Sequence, residues 1–225
     1  MLTLGNLLCG AIAAVSALVW GNLTLSFWLI VAAAACDFFD GMVARLMGIS
    51  GPLGVQLDSL ADDVSFGFAP SAILFVLFNR VNGGMLPDWV GLTVFLFAAF
   101  AALRLAKFNI DEEQKSEFRG LPTPAATLYV VSLAWSVEHA GICAGLNAWG
   151  VLITAWVLAV VMISSIPMFS LKFHGFGWRG NEVRYIFLVA SLAVLLLFGL
   201  EAILLIIGAY IAVSSTLALL KRSKS

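Results

Sequence analysis

Apolar residues in this chain come in long blocks, not in the strict alternation of half-buried strands. Each block is close to the ~20 residues, with a range of roughly 17–25, that a helix needs to cross a bilayer. Eight segments fit this length: 3–20, 23–47, 53–79, 88–109, 122–138, 147–166, 183–199 and 200–220. Turn-forming residues separate them: "GN" at 21–22, "GISGP" at 48–52, "NRVNGGMLPD" at 79–88 and "AGICAG" at 140–145. Two longer polar breaks, "DEEQKSEFRGLP" at 111–122 and "PMFSLKFHGFGWRGNE" at 167–182, complete the punctuation. The last two segments form one apolar run too long for a single crossing, and Gly199–Glu201 is where it divides. The pattern predicts an all-α polytopic membrane bundle of about eight transmembrane helices.

Composition agrees, with 62% hydrophobic residues, 11% charged residues and a mean hydropathy of +1.04. Soluble domains average about 25% charged residues. A net charge of −1 and the lack of any basic run speak against a nucleic-acid partner. The position of the basic residues sets the orientation. With the N-terminus in the cytoplasm, Arg45, Arg104, Lys107, Lys115, Arg119, Lys172, Arg179, Arg184, Lys221, Arg222 and Lys224 fall on or near the inner side. Arg80 alone falls outside, so the positive-inside rule puts both termini in the cytoplasm. The first segment lacks the basic n-region of a secretory signal and reads as a span. Cys9, Cys36 and Cys143 have no metal-ligand or CxxC spacing and read as small packing residues.

One stretch departs from this apolar background: "CDFFDGMVARLMGISGPLGVQLDSLADD", residues 36–63. A short link near 46–53 makes spans two and three an antiparallel hairpin. Asp37 and Asp40 are spaced i, i+3, and Asp58 and Asp62 i, i+4, so each pair shares one helix face. At ~1.5 Å per residue, straight helices place Asp40 and Asp58 about 14 Å, and Asp37 and Asp62 about 19 Å, from the turn. A charged residue at the centre of a membrane helix costs ~2.5–3.5 kcal/mol even on the lenient insertion scale. Four carboxylates therefore require protonation, a water-filled cavity or divalent cations. Hard cations such as Mg²⁺ prefer oxygen ligands, and no His/Cys set suited to zinc is in reach, since His139 and His174 lie in distant loops. Gly41, Ala44 and Gly54 thin one wall of the hairpin, and Arg45 is placed for a forked contact with phosphate.

The spacing Asp37-x2-Asp40-Gly41-x2-Ala44-Arg45-x8-Gly54-x3-Asp58-x3-Asp62 resembles, in full, the signature of the CDP-alcohol phosphotransferase family of membrane enzymes. Four further stretches resemble the bacterial serine-transferring branch of that family: "GVQLDSLADDVSFGFAPS" (54–71), "ALRLAKFN" (102–109), "FRGLPTPAA" (118–126) and "IPMFSLKF" (166–173). The resemblance implies a single membrane domain over 1–225 with its signature at 37–62. It implies transfer of the phosphatidyl group from CDP-diacylglycerol to L-serine, giving phosphatidylserine and CMP. Carried over residue by residue, Asp37, Asp40, Asp58 and Asp62 would hold two divalent metals, Mg²⁺ or Mn²⁺. Asp62 would also be the catalytic base. Asp37, Gly41, Ala44, Arg45, Gly54 and Asp58 would line the CDP site. The family also implies a homodimer in the bacterial cytoplasmic (inner) membrane, with its site facing the cytoplasm.

A serine zwitterion asks for a cationic partner and a polar one. Arg104, Lys107, Asn109 and Arg119 are the candidates, against a plain role as positive-inside anchors. Two other readings compete. Another acceptor in the same family, glycerol 3-phosphate or inositol phosphate, would call for more basic residues around the pocket. A cation- or proton-coupled transporter would also place carboxylates in the membrane, but residues 110–225 hold no second copy of the aspartate pattern. Asp63 lies outside the signature and is expected to be supporting or solvent-facing.

Overall fold

The computed structural model describes residues 1–47, 51–110, 120–168 and 181–222. All eight predicted segments are helical, and the described residues contain no β-strand. The first two are α1 (Leu2–Leu18) and α2 (Leu23–Met47). The third is a broken rod: α3 (Pro52–Asp63), a π-helical turn (Val64–Phe68) and α4 (Ala69–Asn82). The fourth comprises α5 (Asp88–Gly91), a 3₁₀ turn (Leu92–Phe95) and α6 (Leu96–Ile110). α7 (Thr123–Glu138) and α8 (Ala148–Ile163) follow. α9 (Glu182–Phe198) and α10 (Ala202–Arg222) meet at a 3₁₀ turn (Gly199–Glu201). Gly199 there has φ +57°, a left-handed conformation in which a glycine has no Cβ to strain, and it ends α9 where the sequence divides the run.

Cross-helix contacts alternate the direction of the rods. At one end, Arg80 in the last turn of α4, Glu138 at the end of α7, Gly21 in the α1–α2 turn and Thr24 in α2 form one cluster. Arg80 Nη1 donates to Glu138 Oε1 at 3.2 Å, Arg80 Nη2 donates to the Gly21 carbonyl, and Thr24 Oγ1 donates to Glu138 Oε2. Glu201, in the α9–α10 turn, joins this end by accepting from Ile142 N at 2.9 Å. At the opposite end the chain entering α7 meets the end of α8: Gly120 N donates to Ile166 O, and Leu121 N to Val161 O. α10 runs antiparallel to α7, with Ser132 Oγ bonded to Leu200 O and Phe187 on α9 facing Tyr210.

The core lies between α1, α2, α4, α6, α7 and α8, where Phe27, Ile30, Phe66, Leu77, Phe78, Phe97 and Leu152 are fully enclosed. α1 approaches its neighbours through small buried residues, Gly10, Ala13, Ala14 and Ala17, as membrane helices do when their backbones pack closely. The outer faces are apolar, and α9 has no buried residue, with Val189 and Leu196 exposed. Such a surface suits lipid and not water. Among the described residues, four stretches are long and apolar enough to cross a membrane: Leu23–Val43, Leu53–Asn82, Asp88–Ile110 and Glu182–Ala218.

The π turn departs from the straight third span of the sequence reading, and Pro70 accounts for it. Proline has no N–H to give the carbonyl four residues back, which is that of Phe66, and its ring crowds that carbonyl. The backbone widens there. Thr127 Oγ1, from α7, donates to Phe66 O at 2.8 Å in place of the missing amide.

Candidate active site

α2 carries Asp37 and Asp40, and α3, running back beside it, carries Asp58, Asp62 and Asp63. One carboxylate oxygen from each of Asp37, Asp58 and Asp62 lies within 4.8 Å of the others. Asp40 stands beside this trio and accepts a hydrogen bond from Thr3 Oγ1. Asp62 Oδ1 accepts from Asn6 Nδ2 at 2.9 Å. Among the described residues no lysine or arginine makes an ion pair with the trio; the Arg80–Glu138 pair belongs to the far end. At an effective dielectric of ~20, two charges this far apart repel by about 3.5 kcal/mol. Three half-buried carboxylates so placed need a proton or a cation between them. Oxygen-only donors fit hard divalent ions such as Mg²⁺ or Mn²⁺.

The wall around the acids is open where the sequence has its small residues. Gly41 and Gly54 are exposed, and a Cβ on Gly54 would meet nothing within 4 Å. Ala44 and Arg45 belong to the last turns of α2, but their side chains lie outside what the structure describes.

The proposed acceptor residues divide. Arg104, on α6, is half-buried; its Nη1 donates to Thr123 Oγ1 at 2.8 Å, while its buried Nε has no hydrogen-bond partner among the described residues. It is also close enough to Asp62 for their charges to interact. Asn109 Nδ2 donates to Ser59 Oγ at 2.8 Å, which ties the end of α6 to α3 beside Asp58. The structure thus brings Arg104 and Asn109 to the acidic hairpin. Lys107 is exposed, and Arg119 lies outside the described residues. Asp63 is half-buried with an unpartnered Oδ1, and a Cβ on Gly67 would come within 2.8 Å of that oxygen.

The model of the CDP-alcohol phosphatidyltransferase family matches residues 1–163, well over half of the chain. The chain belongs to that family. A CDP-diacylglycerol–serine O-phosphatidyltransferase of Bacillus subtilis is 35% identical over 136 residues, 60% of this chain and 74% of the relative. One of Helicobacter pylori (strain 26695) is 32% identical over 190 residues, 83% of this chain and 76% of the relative. A yeast relative of the same name, from Saccharomyces cerevisiae, is 40% identical over 111 residues, 45% of this chain and 38% of the relative. The family match spans α1 to α8, so it includes both acidic helices and stops before α9 and α10. Membership of a transferase family removes the transporter reading.

Thr3 and Asn6 lie outside the residues the sequence singles out, because the first segment reads there as a plain span. The signal was present as two polar residues three apart, "TLGN", in an otherwise apolar block. Their partners lie 37 and 56 residues away, which local pattern does not reveal.

Proposed function

We infer that this protein is a membrane-embedded CDP-diacylglycerol–serine O-phosphatidyltransferase. The observation that carries this reading is the convergence of Asp37, Asp58 and Asp62 within 4.8 Å, in a chain whose curated relatives bear that name. The serine hydroxyl attacks the phosphorus bearing the diacylglycerol. The bond from that phosphorus to the bridging oxygen of CMP breaks, so the products are phosphatidylserine, CMP and one proton. Asp62 accepts the hydroxyl proton as the new bond forms, a role that needs a carboxylate within hydrogen-bond reach. Asp37, Asp40, Asp58 and Asp62 would hold two divalent ions, Mg²⁺ or Mn²⁺. When bound, such ions offset the charge on the phosphoryl oxygens and on departing CMP.

Gly41, Ala44, Gly54 and Arg45 form the wall for the CDP moiety, with Arg45 on a phosphate. Arg104 pairs with the serine carboxylate and Asn109 orients the amino acid; Lys107 and Arg119 remain the further candidates for that role. A single cation, Arg104, brought to the hairpin among the described residues suits an amino acid better than a phosphorylated acceptor such as glycerol 3-phosphate or inositol phosphate. The chain spans the bacterial cytoplasmic membrane eight times and works as a homodimer. Its site faces the cytoplasm, so nucleotide and serine arrive from water while the acyl chains stay in lipid.

One assay tests the reading: CMP release by the purified protein from CDP-diacylglycerol with a panel of alcohols, with and without EDTA. Serine is expected to drive release, EDTA to abolish it and added Mg²⁺ or Mn²⁺ to restore it. Serine-independent release, preference for glycerol 3-phosphate or indifference to chelation would overturn it.

A further inference from the structure

Asn6 is fully buried in α1, in a helix whose other buried residues are small: Gly10, Ala13, Ala14, Ser16 and Ala17. An amide is costly in such a place unless its groups are used; Asn6 Oδ1 is buried with no hydrogen-bond partner among the described residues, so the amide's one side-chain bond is the one it gives to the acid. Two points tie Asn6 to the rod that carries the acids. Its Nδ2 donates to Asp62 Oδ1 at 2.9 Å, and its backbone carbonyl accepts from Ser65 Oγ at 2.8 Å. Ser65 is itself fully buried and lies three residues after Asp62, at the start of the π turn. One helical turn on from Asn6, Gly10 is pressed against the backbone of Ser65 so closely that a Cβ there would overlap it. The α1 contact is therefore built around Asp62, and Thr3, one turn earlier, reaches Asp40 in the same way.

We propose that Asn6 is a positioning residue for Asp62, setting the plane of its carboxylate so that the acid faces Asp37 and Asp58 ready to bind a divalent ion and to receive the acceptor's proton. This rests on the reading of Asp62 as ligand and base. A carboxylate on an exposed helix face rotates freely about two torsions; one anchored oxygen removes that freedom. The donor is a neutral amide, so it orients Asp62 without cancelling the charge the ion and the proton require. A lysine or arginine at the same position would orient it and neutralise it together.

The test uses the purified full chain in lipid nanodiscs: wild type, Asn6→Ala, Asn6→Leu, Ser65→Ala, Asp62→Asn and the double variant Asn6→Ala/Asp62→Asn. Mn²⁺ binding is measured by titration calorimetry without substrate, alongside kcat, KM and thermal melting. Losing such a support costs about 10–100-fold in metal affinity or activity. Asn6→Ala is expected to weaken Mn²⁺ binding and lower kcat by that factor, with the KM for CDP-diacylglycerol within about threefold of wild type. Asn6→Leu fills the space without a donor and is expected to behave the same, even where the alanine variant folds poorly. In the Asp62→Asn background Asn6→Ala is expected to add less than about twofold, because its effect runs through Asp62. Ser65→Ala loosens the same helix contact and is expected to lower melting while sparing Mn²⁺ binding and kcat. Wild-type affinity and kcat in both Asn6 variants would overturn the inference, as would a full additional loss in the double variant. A matching loss in Ser65→Ala would overturn it by showing that packing alone is at work. Wild-type protein that binds no Mn²⁺ would overturn the metal reading and this inference with it, whereas binding in wild type that the Asn6 variants retain overturns this inference alone.

Discussion

At the scale of single residues, Asp62 is the meeting point of the site, with the Asn6 amide on one side and the carboxylates of Asp37 and Asp58 on the other. Asp62→Asn keeps the shape of the side chain and removes its capacity to take a proton. General-base catalysis contributes typically 10²–10⁴-fold, so turnover is expected to fall by at least about 10²-fold while CDP-diacylglycerol still binds. CMP release near the wild-type rate would remove Asp62 from the role of base. Asp63 shows how far one position can change a neighbour's surroundings. One step along the helix from Asp62, it is not part of the acidic trio, and its Oδ1 is buried against Gly67.

Between elements, the decisive contact is α1 against the π turn. Pro70 removes an amide, the backbone widens over Val64–Phe68, and Thr127 supplies the hydrogen bond from α7. The widened turn then seats Ser65 on the Asn6 carbonyl, at the one place along α1 where Gly10 lets the two backbones meet. Gly10→Leu would force them apart. Overpacking of this kind costs typically 1–3 kcal/mol, and here it would also pull Asn6 from Asp62. Lower melting together with a loss of CMP release is the expected result, measured by thermal scanning and the release assay. A stable variant with full activity would show that the α1 contact is not needed.

Across the whole molecule, the contacts sort into two ends. Arg80, Glu138, Gly21, Thr24 and Glu201 gather at one, and the acids, Ser59 and Asn109 lie toward the other. α1 begins and α10 finishes at the acidic end, because each rod reverses the one before it. On the proposed reading of eight crossings, with the positive-inside bias, tags on the N- and C-termini are expected on the same, cytoplasmic, face. Protease or antibody access in right-side-out and inverted vesicles checks this. Tags accessible from opposite faces would mean an odd number of crossings.

The sequence by itself determined the membrane class, the boundaries of the eight helical rods and the acidic hairpin, because each is written in local pattern. Block length marks a span, turn residues mark its ends, and i, i+3 and i, i+4 spacing puts the aspartates on shared faces. Even the division at Gly199 was legible, since a lone acid in an overlong apolar run needs a break. Only the tertiary structure decided which carboxylates converge, that Thr3 and Asn6 brace Asp40 and Asp62, and that Arg104 and Asn109 reach the hairpin while Lys107 stays exposed. These are contacts between distant parts of the chain, set by how closely α1 and α6 pack on the broken third rod. That closeness depends on Gly10, Gly67 and the Pro70 π turn acting together, and no local periodicity records it.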